Sequence, residues 1–148
     1  MLKKFEFIDH PSDIGIRFEA ENLKEIFEYC AWGMFSIMCN IKKVKPAVKK
    51  LIKINENVKV RLEDLLVLWL EKLLYIYEVK EMLFCRFNIN RLETEGRKAV
   101  LDAEIFGEKI DISRHEVSVS IKAPTYHMLQ LFKDNSTGDW TCQVVFDV

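Results

Sequence analysis

The sequence predicts an α+β fold in which residues 1–148 form a single domain, with a largely antiparallel or mixed sheet and two helices packed on one face. Three observations lead to this prediction. Apolar residues recur at three- and four-residue steps in two long segments, as on one face of a helix. From Met82 onward, apolar and polar residues alternate instead, as they do in strands. Turn-forming residues, such as Glu95-Gly96 and Ser136-Thr137-Gly138, separate the alternating segments.

The chain begins with a predicted strand that is interrupted. Its alternating residues, which a strand would turn inward, are Phe5, Phe7, Ile14, Ile16, Phe18 and Ala20. Between them, Asp9-His10-Pro11-Ser12-Asp13 breaks the pattern with two carboxylates, an imidazole and a proline. Aspartate in such a break ordinarily forms a turn through its side chain. We therefore expect a broken strand with a loop at Asp9–Asp13.

The first helix is predicted over residues 21–39, where Asn22 and Glu25 have the spacing of a helix-capping pair. The lysine-rich segment 41–50 that follows is predicted to be a solvated connector leading into an edge strand. A nucleic-acid patch is the weaker interpretation, because no aromatic residue lies among these lysines to stack on a base. A further strand is predicted over residues 51–60.

The second helix, over residues 61–80, has the clearest pattern in the chain. Its apolar stripe is formed by Leu62, Leu65, Leu66, Trp69, Leu70, Leu73, Leu74 and Tyr77. Val67 and Leu68 widen this stripe until the middle turn is apolar nearly all round. Such a helix is either buried between layers or offers its second face to a partner, and we predict burial.

Five later segments alternate with period two and are predicted as strands: residues 85–93, 99–107, 115–123, 126–132 and 140–148. His115, at the start of the third of these segments, is expected on the surface. The last two segments flank a turn and should pair as a hairpin. Placing Phe132 opposite Trp140 would put His127 opposite Val145 and Thr125 opposite Asp147, all on one face. A slip of one residue would break this grouping.

Composition and charge exclude several classes of protein. The chain has 22 basic and 23 acidic residues, so no overall field attracts a nucleic acid or an anionic membrane. The four cysteines are scattered without zinc-ligand spacing, and we expect reduced core thiols. The first residues lack a signal-peptide pattern, and the longest apolar run, Leu65 to Leu70, is too short to span a bilayer. These features predict a cytoplasmic protein.

Oxygen donors near the two ends of the chain form the one candidate metal site. The loop at Asp9–Asp13, the Asp147 carboxylate and the carboxylate and backbone oxygen of Val148 could together hold Ca²⁺, Mg²⁺ or Mn²⁺. Taken alone, these residues are as well explained by an ordinary turn and a solvated terminus. His10 and His127 are likewise more typical of a turn residue and of a hydrogen-bonded ring. Zinc bound by His10, His127 and Cys142 is conceivable, but no local spacing supports it.

Catalytic motifs are missing from the sequence. It contains no nucleophile with an adjacent base, no glycine-rich phosphate loop and no dinucleotide-binding fingerprint. With only five glycines, the chain has little material for such loops. We therefore predict that the chain is not an enzyme.

Four motifs in order along the chain resemble the archease family. They are HPSDIGI near the start, DLLVLWLEKLLY in the second helix, IKAPTYHM late in the chain and QVVFDV at its end. The resemblance spans nearly the whole chain and implies the archease fold. In this chain Pro11-Ser12 stands where the family usually has Thr-Ala. Pro124 replaces a usual valine, which removes a backbone donor and could bulge that strand.

The resemblance implies an accessory protein of the GTP-dependent RNA ligase of tRNA splicing. Such proteins promote guanylylation and multiple turnover of the ligase, and modulation of a tRNA methyltransferase has also been proposed for them. The resemblance further implies a divalent metal, with Ca²⁺ favoured, held by Asp13, Asp147 and Val148.

By the same positional match, Lys122 and His127 would neighbour the metal site, and His10 keeps its place in the first motif. Lys122 would attract a phosphate or carboxylate, and His127 would relay a proton or fix a ligand. The alternatives that stay open are a self-sufficient metal-dependent phosphatase or nuclease and a chaperone-like module that binds partners through the second helix.

Overall fold

Seven strands and two α-helices make up the computed structural model, which describes residues 1–9 and 12–148. The α+β fold class is therefore confirmed. In chain order the elements are β1 (Lys3–Asp9), β2 (Asp13–Ala20), α1 (Leu23–Met38), a short 3-10 helix (Ile41–Lys43), β3 (Val48–Glu56), α2 (Leu62–Lys80), β4 (Met82–Glu95), β5 (Lys98–Lys109), β6 (Ala123–Lys133) and β7 (Trp140–Asp147).

The strands form two antiparallel sheets where the sequence predicted one sheet. The four-stranded sheet has the order β1-β2-β7-β6, and the three-stranded sheet has the order β3-β5-β4. Helix α1 packs against strands of both sheets, and α2 contacts β6 and β4, so one buried cluster joins both layers. Alternation in sequence marks which face of a strand is buried, but it does not say which strands pair. For this reason the second sheet could not be inferred.

The predicted broken strand at the N-terminus is a pair of strands. β1 and β2 pair antiparallel, with Asp9 opposite Ile14, so the prediction of one interrupted strand was wrong. The acidic stretch connects two strands of a hairpin, and both of its aspartates lie at strand ends. Phe7, predicted to face inward, is 55% exposed because β1 is the outermost strand of its sheet.

Both predicted helices are confirmed. The Asn22 side chain accepts a hydrogen bond from the Glu25 N–H at 2.9 Å and satisfies one of the free donors at the start of α1. The predicted stripe of α2 is buried, and Trp69 within it donates from Nε1 to the Phe27 carbonyl at 3.0 Å. Within the described ranges, neither helix has the length and apolar content needed to cross a membrane.

The four cysteines are free, as predicted, and three of them are fully buried or nearly so. Burial raises the pKa of the Cys30 thiol well above its ordinary value and raises that of Cys39 to about 11. Cys142 lies on the core side of β7 and is inaccessible to solvent, so it offers no thiolate to the conceivable zinc site with His10 and His127.

Residues 115–123 do not form the predicted strand. The segment before Ala123 has no strand partner, although its burial alternates from Val117 to Ile121. Its polar backbone atoms find other partners: the Ser118 N–H donates to the Met38 carbonyl at 3.0 Å, and the Lys122 N–H to the Asp147 carbonyl at 2.8 Å. Period-two alternation therefore marked an extended segment that packs on the core without joining a sheet.

His115 is fully buried, so its predicted surface position was wrong. The Asp111 N–H donates to Nδ1 at 2.9 Å, which leaves the ring proton on Nε2, facing Glu108 Oε2 at 2.9 Å. Glu108 also pairs with Arg114 at 2.9 Å and accepts from the Lys45 N–H at 2.7 Å. The Arg114 guanidinium, the Lys45 amide and His115 together hold the pKa of Glu108 at about 2. This network fixes the segment that leads to Lys122.

The Glu108 network predicts a defined dependence of stability on pH. The pKa of Glu108 in the folded chain lies below its ordinary value of 4.5, so its contribution is complete above about pH 4.5 and is lost as pH falls toward 2. At pH 6, Glu108→Gln should lower the free energy of unfolding by about 1–3 kcal/mol, as for a charged hydrogen-bonded group. Urea titrations should show this gap closing between pH 4.5 and 2, and Glu95→Gln should show no gap. A gap that persists at pH 2 would contradict the assignment.

Candidate functional site

The two aspartates of the candidate site face each other across the centre of the four-stranded sheet. β2 begins at Asp13 and β7 ends at Asp147, and the two residues are direct partners in the antiparallel ladder. Side chains of such partners project from the same face, with Cβ atoms about 4.5–5.5 Å apart. On β2, Ile16 and Phe18 are buried in the core, so Asp13 lies on the face turned away from it. The structure therefore brings two carboxylates together from opposite ends of the sequence.

Val148 follows directly on this pair. Its side chain is partly buried and packs against the hydrophobic core, whereas Asp147 before it is exposed. This packing holds the backbone at the end of β7, so the backbone oxygens of Val148 lie next to the carboxylate pair. Three residues with oxygen donors thus meet at one end of the sheet, which we call the acidic tip (Asp13, Asp147 and Val148).

Lys122 lies on the other side of the acidic tip. Its N–H donates to the Asp147 carbonyl at 2.8 Å, and the next residue, Ala123, is the ladder partner of Asp147. The Lys122 side chain is exposed and borders a cavity of about 170 Å³ between α2 and the start of β6, together with Glu71 and Glu78. The backbone of Lys122 is thus tied to the tip, and its exposed side chain lies beside this cavity.

The predicted register of the last hairpin was wrong, and this changes the position of His127. Trp140 pairs with Lys133, and farther along the strands Thr125 pairs with Val145 and Ala123 with Asp147. Between these two stretches, four residues of β6 (Tyr126, His127, Met128 and Leu129) lie against the single residue Val144 of β7. Thus neither His127 nor Thr125 has its predicted partner. His127 is exposed in this bulge, four residues along β6 from Ala123.

Specific hydrogen bonds hold the bulge of β6. Met128 has a positive φ of 56°, and its carbonyl accepts from Gln143 Nε2 at 2.8 Å. The Tyr126 hydroxyl donates to Asp64 Oδ1 at the start of α2, at 2.9 Å, and Arg61 also binds this carboxylate. Arg61, followed by Tyr126, lowers the pKa of Asp64, while burial and Asp64 raise the pKa of Tyr126. The bulge that Pro124 could introduce is not found at that residue, because Pro124 pairs in register with Phe146 and the shift lies between Thr125 and Gln130. The contact with α2 was not foreseen.

Arg17 is the nearest basic side chain along β2 on the same face, yet it is engaged elsewhere. Its Nη1 donates to Gln130 at 2.6 Å and to Gln143 at 3.1 Å, and its own ladder position is four residues along β2 from Asp13. Neither Asp13 nor Asp147 forms an ion pair with any of the described residues. Like charges directly opposite each other in a ladder are destabilising, so a counter-charge at the tip would stabilise the pair. Sequence alone did not reveal that Arg17 would be unable to supply it.

One further predicted site residue is His10. His10 lies outside the described residues, so its place near the tip stays a prediction. In the part of the chain that the structure describes, no group of three or more histidine, cysteine, aspartate or glutamate side chains could hold a metal ion. Among the described residues, the donors at the tip are the two side-chain carboxylates and the backbone oxygens of Val148.

Comparisons with a family model, with related proteins and with a solved structure each match almost the whole chain. The model of the Archease protein family matches residues 5–148. The protein archease of Sulfurisphaera tokodaii is 38% identical over 147 residues, which is 99% of this chain and 100% of that protein. For the protein archease of Methanosarcina mazei the identity is 34% over 99% of this chain and 97% of that protein. The solution structure of Methanobacterium thermoautotrophicum protein 1598 matches with a TM-score of 0.77 and 26% identity, over 97% of this chain and 98% of that one.

The facing carboxylates predict an unusual gain in stability when one of them is neutralised. In a chelator at low salt, Asp13→Asn should raise the free energy of unfolding by about 0.2–1 kcal/mol, because it removes a like-charge pair. Asp147→Asn should do the same, and the double variant should gain no more than either one, because both remove the same repulsion. The gain should vanish in about 1 M salt. Fully additive effects, or a loss of stability in either single variant, would contradict the facing geometry.

Proposed function

This chain belongs to the archease family, and we propose from that premise that it is a metal-binding activator of the GTP-dependent RNA ligase of tRNA splicing. Family membership supports the broader statement that the chain is an accessory protein of tRNA processing. The ligase as partner and the bound metal are the proposal. The single observation that carries it is the direct pairing of Asp13 with Asp147 beside Val148.

The donors at the acidic tip fit a hard cation. Two carboxylates and the backbone oxygens of Val148 match Ca²⁺, which takes six to eight oxygen ligands in flexible geometry. Mg²⁺ and Mn²⁺ also prefer oxygen, but Mg²⁺ demands near-octahedral geometry at shorter distances. An incomplete protein shell of this kind leaves coordination sites for water or for a ligand of the partner. When bound, the cation would offset the repulsion within the pair and supply a fixed positive charge at an exposed site.

The surrounding residues have roles that follow from their positions. Lys122 is exposed and tied through its backbone to Asp147, so its ammonium group can attract a phosphate of the ligase's guanine nucleotide. His127 is exposed on the β6 bulge, where it can hold a ligand or relay a proton if the partner covers that strand. The hydrogen bond from Tyr126 to Asp64 anchors the bulge to α2 and restrains the backbone next to His127. His10 lies outside the described residues, and its part in the site rests on the resemblance alone.

An accessory protein without a nucleophile can still accelerate another enzyme. It does so by binding one conformation of that enzyme preferentially, or by adding a positioned charge to its active site. We propose that the acidic tip, Lys122 and His127 dock at the nucleotide-binding cleft of the ligase and favour the state that accepts the guanylyl group. Binding would stabilise the ligase conformation that accepts the guanylyl group. Stimulation should therefore be seen in the rate of guanylylation and in repeated turnover of the ligase.

The main rival is a self-sufficient phosphatase or nuclease that uses the same carboxylates. Two-metal hydrolases place their ions about 3.5–4 Å apart and need more carboxylate or imidazole ligands than this tip offers. The purified chain should therefore not hydrolyse phosphate esters in the presence of Ca²⁺, Mg²⁺ or Mn²⁺. Metal-dependent turnover that is lost in Asp13→Asn would overturn the accessory role in favour of the rival.

The ligase role predicts a selective loss in one variant. Asp13→Asn should weaken Ca²⁺ binding by at least about tenfold and abolish stimulation of ligase guanylylation, because it removes a ligand while leaving the fold intact. Calorimetric titration and a guanylylation assay with the cognate ligase measure the two effects. Asp102→Asn, the same change on a strand of the other sheet, is the matched control and should keep both activities. Full stimulation by Asp13→Asn would count against the proposal.

A second variant tests Val148 directly. In a chain that ends at Val148 the last residue offers a carboxylate, and adding two glycines after it converts that group to an amide. The extension should weaken Ca²⁺ binding and ligase stimulation, because one negative ligand is lost. The same two residues added before Met1 serve as the control and should have no effect. Equal activity of the two extended chains would show that the Val148 carboxylate is not a ligand.

A further inference from the structure

Three of the four outermost strands are shielded against pairing with another chain. β1 has a bulge between Lys3 and Glu6, and the outer side of β6 is disrupted by its bulge and covered in part by α2. β4 packs against α1, where Glu28 accepts a hydrogen bond from the Ile89 N–H at 2.8 Å. Bulges and covering helices are the usual ways in which proteins protect the edges of their sheets.

β3 is the exception. Its nine residues pair with β5 in unbroken register, and within the described ranges no other element pairs with β3. Every second residue of a strand directs its N–H and C=O groups away from its partner, so this edge has a regular row of free donors and acceptors. Leu51 in the middle of the strand is 65% exposed. The edge is thus regular and open.

A groove runs beside this open edge. It has a volume of about 350 Å³ and lies between the end of β3 and α2, and its lining residues are Lys53, Ile54, Asn55, Glu56, Leu68 and Lys72. Ile52 and Ile54 point from β3 toward the helices and are buried, while Leu51 and Lys53 point to the opposite, exposed face. A strand added next to β3 would therefore have one row of side chains over the groove and one row over the exposed face.

The charge of β3 is more basic than acidic. The strand contains three lysines, Lys49, Lys50 and Lys53, and one acidic residue, Glu56, at its end. Lys49 forms an exposed ion pair with Glu104 at 3.3 Å, whereas Lys50 and Lys53 have no ion-pair partner among the described residues. Exposed ion pairs contribute little and can be exchanged. The open edge is therefore complementary to an acidic segment.

We propose that β3 is a docking edge for an extended acidic segment of a protein partner, which adds a fourth strand to the three-stranded sheet. Backbone hydrogen bonds to β3 would supply much of the affinity, and alternating side chains would supply the selectivity. Acidic side chains would lie beside Lys49 and Lys53, and the intervening apolar side chains would lie over the groove near Leu68. The proposal concerns a surface separate from the acidic tip and does not depend on metal binding.

Two other occupants fit less well. Pairing of β3 with β3 of a second copy would set its lysines against one another, and like charges on facing strands are destabilising. Single-stranded nucleic acid usually stacks its bases on aromatic side chains, and residues 41–56 contain none. An acidic peptide satisfies both the open backbone edge and the lysines.

A peptide titration tests the proposal. The probe is a fluorescein-labelled peptide of seven residues that alternates glutamate with valine. Fluorescence anisotropy measures its binding, and amide hydrogen exchange of the 148-residue chain locates the binding site. Saturable binding should appear below about 1 mM, with slowed exchange in β3. The same peptide with N-methylated amides keeps its charge but cannot donate hydrogen bonds, so it should not bind. A peptide that alternates lysine with valine should not bind either.

Protein variants separate the edge from general attraction to charge. Lys53→Gln combined with Lys72→Gln removes two charges beside the groove and should weaken peptide binding at least fivefold. Lys98→Gln combined with Lys133→Gln makes the same change in net charge elsewhere and should leave binding unchanged. The proposal is overturned by an absence of binding, by binding without slowed exchange in β3, by tighter binding of a seven-uridine RNA, or by a dimer whose β3 is already protected.

Discussion

The antiparallel pairing of β2 with β7 is the constraint on which the rest of the structure depends. These are the two central strands of the four-stranded sheet, and they come from opposite ends of the chain. Their register places Asp13 against Asp147 and thereby creates a cluster of negative charge that no described basic residue neutralises. Everything proposed about metal binding and ligase activation follows from this one alignment.

The hydrophobic core fixes that alignment. Phe18 and Phe146 are fully buried, as is Cys142 opposite Phe18. A slip of one residue would turn these side chains to the other face and expose them, and burying each large apolar side chain contributes about 1.5–3 kcal/mol. Gly15 strengthens the constraint, because a Cβ added there would lie 2.9 Å from the Val144 carbonyl oxygen. The site therefore takes its geometry from packing, and the repulsion between its carboxylates is tolerated within a sheet that cannot slide.

Features that depend on residues close together in the sequence could be predicted, whereas features that depend on distant residues could not. The Asn22 cap and the apolar stripe of α2 depend on residues three or four apart, and both are as expected. From the residues alone, the meeting of Asp13 with Asp147 was one of two open interpretations. Only the resemblance to a family favoured it, because no local pattern links residues so far apart. The position of His127 was missed because a bulge held by Gln143 changes the register within β6. The burial of His115 was missed because its partner, Glu108, lies on β5.

The molecule thus has two surfaces of opposite charge, the acidic tip and the lysine-rich edge of β3, and each is suited to a different contact with a partner. The most direct test of the central claim is an anomalous diffraction map from crystals of this protein soaked in Mn²⁺. The account predicts a single peak with oxygens of Asp13, Asp147 and Val148 about 2.1–2.6 Å away. A map with no peak between the two carboxylates, at a Mn²⁺ concentration that fills other sites, would contradict it.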